Sequence, residues 1–190
     1  LFDECTSGFR QSYGGIHKIY NVEPDMAVFG KALGNGYAVT AVIGRREIME
    51  SAQSTFISST FWTERIGSVA ALKTLEVMEK EKSWEKISQT GSNISKNWIE
   101  LGEKYNLPLT VAGIPAISSF GFNSSNNLSY KTLITQEMLK KGYLATNLTF
   151  TSTAHTTEIV DKYFENLEPV FETIKECEDG RSISSLLDGP

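Results

Sequence analysis

The sequence predicts an α/β protein whose later part is a smaller α+β domain. Three observations carry this: short apolar runs fenced by glycine and proline before residue 45, two long stretches of helical apolar spacing after residue 64, and an alternating, broken run from 107 to 122. Short apolar runs between turn signals suit strands of a sheet buried on both faces. Apolar residues three and four apart bury one stripe of a helix.

The elements follow in order. Leu1-Phe2-Asp3, Met26-Ala27-Val28-Phe29 and Ala38 to Gly44 read as strands, the last two separated by a glycine turn. Arg45 to Met49 begins a short helix, and Phe56 to Thr63 is a loop rich in hydroxyls and aromatics. Ile66, Val69, Ala70, Leu72, Leu75 and Met78 mark a long helix to about Glu81, and Ile87, Ile94, Trp98 and Leu101 mark another from Trp84 to Tyr105. Leu107 to Phe122 breaks into two strands of a small antiparallel sheet. Tyr130 to Lys141 is a helix stopped by Gly142, followed directly by a strand at Tyr143-Leu144-Ala145. Thr156 has the hydroxyl that suits the N-cap of a final helix running through Ile159, Tyr163, Leu167 and Ile174. The polar tail from Asp179 to Pro190 is expected to be loose, or to dock on parts outside this chain. Domains are placed at 1–80 and 81–190.

A length of 190 residues supports a real hydrophobic core. The chain starts with leucine inside what reads as a strand, so it is expected to be the carboxyl-terminal part of something longer or the product of a truncated gene. A net charge of -5 with 22% charged residues gives no basic footprint for nucleic acid. No apolar stretch approaches the roughly 20 residues that span a bilayer. Two cysteines in unrelated contexts, Cys5 and Cys177, read as reduced thiols of a cytoplasmic protein.

Lys31 is the leading candidate for chemistry. It stands between the apolar run Met26 to Phe29 and the turn Gly34-Asn35-Gly36, a setting that suits an amine attacking a carbonyl. Asp3 ends the preceding strand, so a buried acid and a buried amine are expected at two successive strand ends. Together they outline a site for pyridoxal 5'-phosphate, which needs a lysine for its Schiff base and a carboxylate that keeps its pyridine nitrogen protonated. The lysine must be neutral to attack, which a water-poor pocket favours. The acid stays ionised there only against a cation.

Competing readings are weaker. Gly30-Lys31 is no Walker motif, because Asp25 stands where a glycine is needed and Ala32 where a hydroxyl is needed. Arg10 suits either a substrate carboxylate or a structural acid such as Glu4, and Glu4 suits positioning of Arg10 or of its loop. His17 and His155 have no companions at metal-ligand spacing, so no metal is expected. Cys177 lies between Glu176 and Glu178, which disfavour a thiolate.

With these residues in view, the chain resembles the class III aminotransferases of fold type I, in the branch that includes glutamate-1-semialdehyde aminomutase. The likeness rests on Phe2-Asp3-Glu4-x-x-x-Gly8-Phe9-Arg10, Pro24-Asp25, Phe29-Gly30-Lys31-Ala32-Leu33-Gly34-Asn35-Gly36 and Gly44-Arg45-Arg46-Glu47-Ile48-Met49, in order along essentially the whole chain. It implies the end of the large coenzyme domain followed by the small carboxyl-terminal domain. It also implies that Asp3 pairs with the pyridine nitrogen, Lys31 bonds the coenzyme and moves the proton, Cys5 lies against the ring face, and Thr60 holds the phosphate from the neighbouring subunit of a homodimer.

Two departures stand out. The family's Thr-Phe-Ser-Gly-Asn-Pro is Thr60-Phe61-Trp62-Thr63-Glu64-Arg65 here, and the stretch from Tyr143 to His155 holds no acid where the aminomutase has a gating glutamate. The second departure favours an ordinary transaminase, using a small-molecule amino donor and carbonyl acceptor, over the aminomutase. A non-catalytic dimerisation module is the reading from another class. The stretches that would receive the phosphate and stack on the ring are expected upstream, so the chain alone is expected to be a poor catalyst.

Overall fold

The computed structural model describes residues 1–189, and the chain divides into two compact units, Leu1–Lys86 and Ile87–Pro190. In the first unit, β1 (Phe2–Glu4) pairs in parallel with β2 (Met26–Phe29), which pairs antiparallel with β3 (Ala41–Gly44). The short α1 (Arg46–Met49) and the long α2 (Ile66–Glu81) follow. A small core of Ala27, Phe29 and Leu33 is closed by Phe9, Val39, Ala41, Ala71 and Leu75.

That core covers one face of the sheet only. The expected burial on both faces is therefore corrected: β2 buries Ala27 and Phe29 but leaves Met26 and Val28 partly open, and Val42, the partner of Val28 in β3, is exposed. Periodicity cannot tell a strand covered twice from one covered once when both read as apolar runs.

The charged turn before α2 has a local explanation. The Glu64 carboxylate accepts the amides of Ile66 at 2.6 Å and Gly67 at 3.2 Å, donors that the first helical turn cannot pair internally. The departure from the family pattern thus supplies a helix cap.

The second unit opens within α3 (Ser83–Lys104) and continues through β4 (Leu109–Ile114), β5 (Ile117–Phe122), α4 (Asn127–Lys140), β6 (Leu148–Phe150) and α5 (Thr157–Glu178). Its sheet is antiparallel in the order β4-β5-β6. The expected strand at Tyr143-Leu144-Ala145 is irregular, and the strand falls at Leu148–Phe150 instead. Asn147 explains the shift, since its backbone carbonyl accepts the Phe120 amide and its side chain donates to the Phe120 carbonyl, starting the pairing there. Thr156 caps α5 by accepting the Ile159 amide at 3.4 Å.

The core of this unit is aromatic. Trp98, Tyr130 and Phe171 are fully enclosed, and Phe120 packs on Trp98 with ring centroids 4.7 Å apart. The tail also joins it: Leu186 and Leu187 pack against the core, and Gln136 holds the Leu186 carbonyl and the Asp188 amide. The expectation of a loose tail, or of one docked outside this chain, is overturned by that leucine pair, whose burial outweighs the flexible residues around it.

Tyr163 yields a pH prediction. Its hydroxyl accepts the Trp98 indole N–H at 3.1 Å, and burial pushes its pKa up to about 12. An unfolded tyrosine ionises near 10, so between the two values the folded state holds more protons and stability falls as pH rises. The total loss is roughly 2–3 kcal/mol, seen as a declining urea midpoint that Tyr163→Phe should flatten.

Candidate active site

Asp3 and Lys31 are brought to one sheet edge by strand pairing. Asp3 lies opposite Val28 and Glu4 opposite Phe29 in the parallel pair, so both strands end on the same side. Adjacent strands run about 4.8 Å apart, and the ends of parallel strands are where open α/β sheets bind ligands. Lys31 follows β2 after one glycine, Gly30, and opens a short 3-10 turn with φ of +43°. A non-glycine residue in the left-handed region costs roughly 1–2 kcal/mol. Such strain is often held where function requires it.

The turn after β1 faces that lysine. Lys31 Nζ donates to Thr6 Oγ1, the Cys5 amide donates to Asp3 Oδ1 at 3.0 Å, and a methyl group placed on Gly30 would stand 3.5 Å from Cys5 Sγ. Burial, then the hydrogen bond and charge of Asp3, push the Cys5 thiol up, while the Lys31 charge pulls it down. One thiol therefore feels both the acid and the amine. The glycines beyond Lys31 close the turn: a side chain at Gly34 would run into the Tyr37 carbonyl, and Gly36 holds φ of +101°.

One expectation about this site changes. Asp3 and Lys31 are exposed rather than buried; β1, which carries Asp3, is an edge strand of its sheet among the described residues, and Lys31 sits in the turn beyond β2. The Glu4 carboxylate holds its own loop through Ser7 and His17, one of the two roles expected of it. Burial raises the Glu4 carboxyl, but the bonds from Ser7, from the His17 and Ile16 amides and from the His17 ring outweigh it and leave it lowered. Arg10 is half-buried, and burial lowers its guanidinium.

Thr6 and His17 were not assigned to the site from sequence. Thr6 is 25 positions from Lys31, and no spacing rule links a turn hydroxyl to a lysine on the next strand. Thr60 lies in the irregular stretch before α2, exposed like its neighbours Phe61 and Trp62. Among the described residues, no cluster of three or more histidine, cysteine, aspartate or glutamate side chains is arranged to hold a metal, and no helix is long and apolar enough to cross a membrane.

The residue set fits pyridoxal phosphate in chemistry: an amine, a carboxylate and a small side chain converge at adjacent strand ends. The family profile described as Aminotransferase class-III matches residues 1–168. The chain belongs to this family. Among curated relatives of this class-III aminotransferase chain, the 3-aminobutyryl-CoA aminotransferase of Cloacimonas acidaminovorans (strain Evry) is 36% identical over 137 residues, which cover 72% of this chain and 33% of that protein. The glutamate-1-semialdehyde 2,1-aminomutase of Methanocaldococcus jannaschii is 29% identical over 192 residues, covering 92% and 45%. The class-III chain thus spans less than half the length of these relatives.

Solved structures show the same fold. The internal aldimine form of the FumI protein of Sphingopyxis sp. MTA144 matches with a TM-score of 0.84 at 21% identity, over 95% of this chain and 44% of that one. A transaminase with PLP bound matches with a TM-score of 0.80 at 20% identity, over 95% and 45%.

Proposed function

We propose that this chain is the part of a cytoplasmic aminotransferase that contributes the lysine and the acid of a pyridoxal phosphate site. The reaction moves an amino group from a small-molecule donor to a carbonyl acceptor. The carrying observation is the convergence of Lys31 and Asp3 at the ends of two paired parallel strands, with Cys5 in electrostatic reach of both. Bound pyridoxal phosphate supplies an electron sink that makes a proton on the substrate's amine-bearing carbon labile.

The chain's own residues do the rest. Lys31 Nζ would hold the coenzyme through its aldehyde and, when free, could take up and return the proton of the substrate's amine-bearing carbon. Asp3 would keep a positive charge on the pyridine nitrogen of a bound coenzyme, since an adjacent carboxylate favours the protonated form. Thr6 Oγ1 holds Nζ when the amine is not covalently engaged. Cys5 fills the space beside Gly30 and would lie against the ring of a bound coenzyme. Thr60 is assigned to the coenzyme phosphate of a second subunit. That assignment is supported by Phe56, Phe61 and Trp62, which leave large apolar surface in solvent around it and suit a homodimer with a shared site.

The test is reductive trapping. Incubating the chain with pyridoxal 5'-phosphate and then borohydride should add one coenzyme mass, mapped to the peptide that holds Lys31; labelling spread over exposed lysines sinks the reading. An aminomutase is the second reading, favoured by the length of the match to proteins of that name. It predicts 5-aminolevulinate from glutamate-1-semialdehyde without an added amino donor. The acid-free stretch Tyr143 to His155, which borders an apolar cleft of about 610 Å³ in the second unit, argues for the transaminase instead.

A further inference from the structure

Glu4 is the one charged side chain buried among the described residues, 2% exposed, and it sits between Asp3 and Cys5 in sequence. An ionised carboxylate inside a protein is costly unless its oxygens are bonded. Here both are. Oε2 accepts the Ser7 hydroxyl, while Oε1 accepts the His17 amide at 3.1 Å and meets the His17 ring Nδ1 at 3.0 Å.

The backbone repeats the pattern. The Glu4 carbonyl accepts the Gly8 amide at 2.8 Å, and a side chain added at Gly8 would collide with that carbonyl and with Phe29. One residue thus ties the turn 5–8 to the returning loop at His17. The same turn carries the Thr6 hydroxyl on Lys31 and the Cys5 thiol beside Gly30. Successive strand residues point to opposite faces, so anchoring Glu4 inward directs Asp3 outward.

We infer that Glu4, gripped by Ser7 and His17, is a positioning residue for the coenzyme site: it fixes the turn that sets Asp3, Cys5 and Thr6 against the Lys31 amine. The inference rests on the reading of Lys31 and Asp3 given above. A hydrophobic residue would fill the space, but it would leave the His17 amide and the Ser7 hydroxyl without an acceptor and the turn free to shift. Displacement of reacting groups by about 1 Å costs up to about a hundredfold in rate.

The experiment compares the full chain with Glu4→Gln, Ser7→Ala and Ser7→Thr. Two quantities are read: the pyridoxal 5'-phosphate concentration for half-maximal visible absorbance, and the rate at which trinitrobenzenesulfonate labels Lys31 without coenzyme, normalised to the other lysines. Far-UV circular dichroism and melting confirm folding. Glu4→Gln and Ser7→Ala should raise the half-saturating concentration roughly tenfold and change the relative labelling of Lys31, while Ser7→Thr, which keeps the hydroxyl, restores both. A folded Glu4→Gln with unaltered coenzyme response and labelling overturns the proposal. If Glu4→Gln does not fold, Ser7→Ala against Ser7→Thr decides on the same readings. A wild-type chain with no coenzyme response overturns the coenzyme reading instead, and the Lys31 labelling then decides this one alone.

Discussion

Replacing Lys31 by glycine is expected to abolish reductive trapping of pyridoxal phosphate and, relative to Lys31→Ala, to stabilise the fold. Both variants lose the amine and its bond to Thr6, so the coenzyme adduct disappears in each. They differ only in the backbone. At φ of +43° alanine keeps the left-handed strain and glycine does not. Relief of roughly 1–2 kcal/mol is offset by about 0.5–1 kcal/mol of extra backbone entropy in unfolded glycine. The net gain for glycine is about 0–1.5 kcal/mol, centred near 0.7, measurable as a higher urea midpoint. A glycine variant less stable than the alanine variant would show that the turn carries no strain. Trapping that persists in either variant would remove Lys31 from the site.

The largest stability effect lies far from the chemistry. Trp98 is 0% exposed, packs on Phe120 and donates to Tyr163. Trp98→Ala should cost about 3–5 kcal/mol, the range for truncating a buried aromatic. That is a large part of the 5–15 kcal/mol that holds a typical domain. Trp98→Phe keeps most of the buried area but removes the indole donor, at roughly 1–2 kcal/mol. The indole bond also lowers the Tyr163 pKa, against the larger effect of burial. Its loss should therefore move tyrosine ionisation higher still, read as a shift of the alkaline absorbance titration. Unfolding followed by circular dichroism gives both energies; a Trp98→Ala chain within 1 kcal/mol of the parent would show that the cavity collapses freely.

Where sequence and structure part, the reason is physical in each case. The helices were legible because α3 and α5 repeat their apolar residues every three or four positions around Trp98 and Phe171, a pattern set by one turn of backbone. The pair β4 and β5 was legible for the same reason at period two. The strand after α4 was misplaced by several residues, because Tyr143-Leu144-Ala145 is as apolar as Leu148-Thr149-Phe150 and only the pairing through Asn147 and Phe120 chooses between them. The tail was misread because two leucines in a polar segment reveal nothing until a groove exists to receive them.

The candidate site divides in the same way. The sequence by itself determined the residue types that can do the chemistry: an amine at Lys31, an acid at Asp3, and glycines that let the turn close behind the amine. It did so because covalent reactivity and backbone permissiveness belong to single residues and their nearest neighbours. Only the tertiary structure decided that Thr6 meets Lys31, that Cys5 feels the charges of both Asp3 and Lys31, and that Glu4 grips His17. Those contacts join residues 13 and 25 positions apart, and no local pattern encodes them. They exist because two parallel strands align their ends, and the hydrogen bonds that fix that alignment form only when the chain has folded.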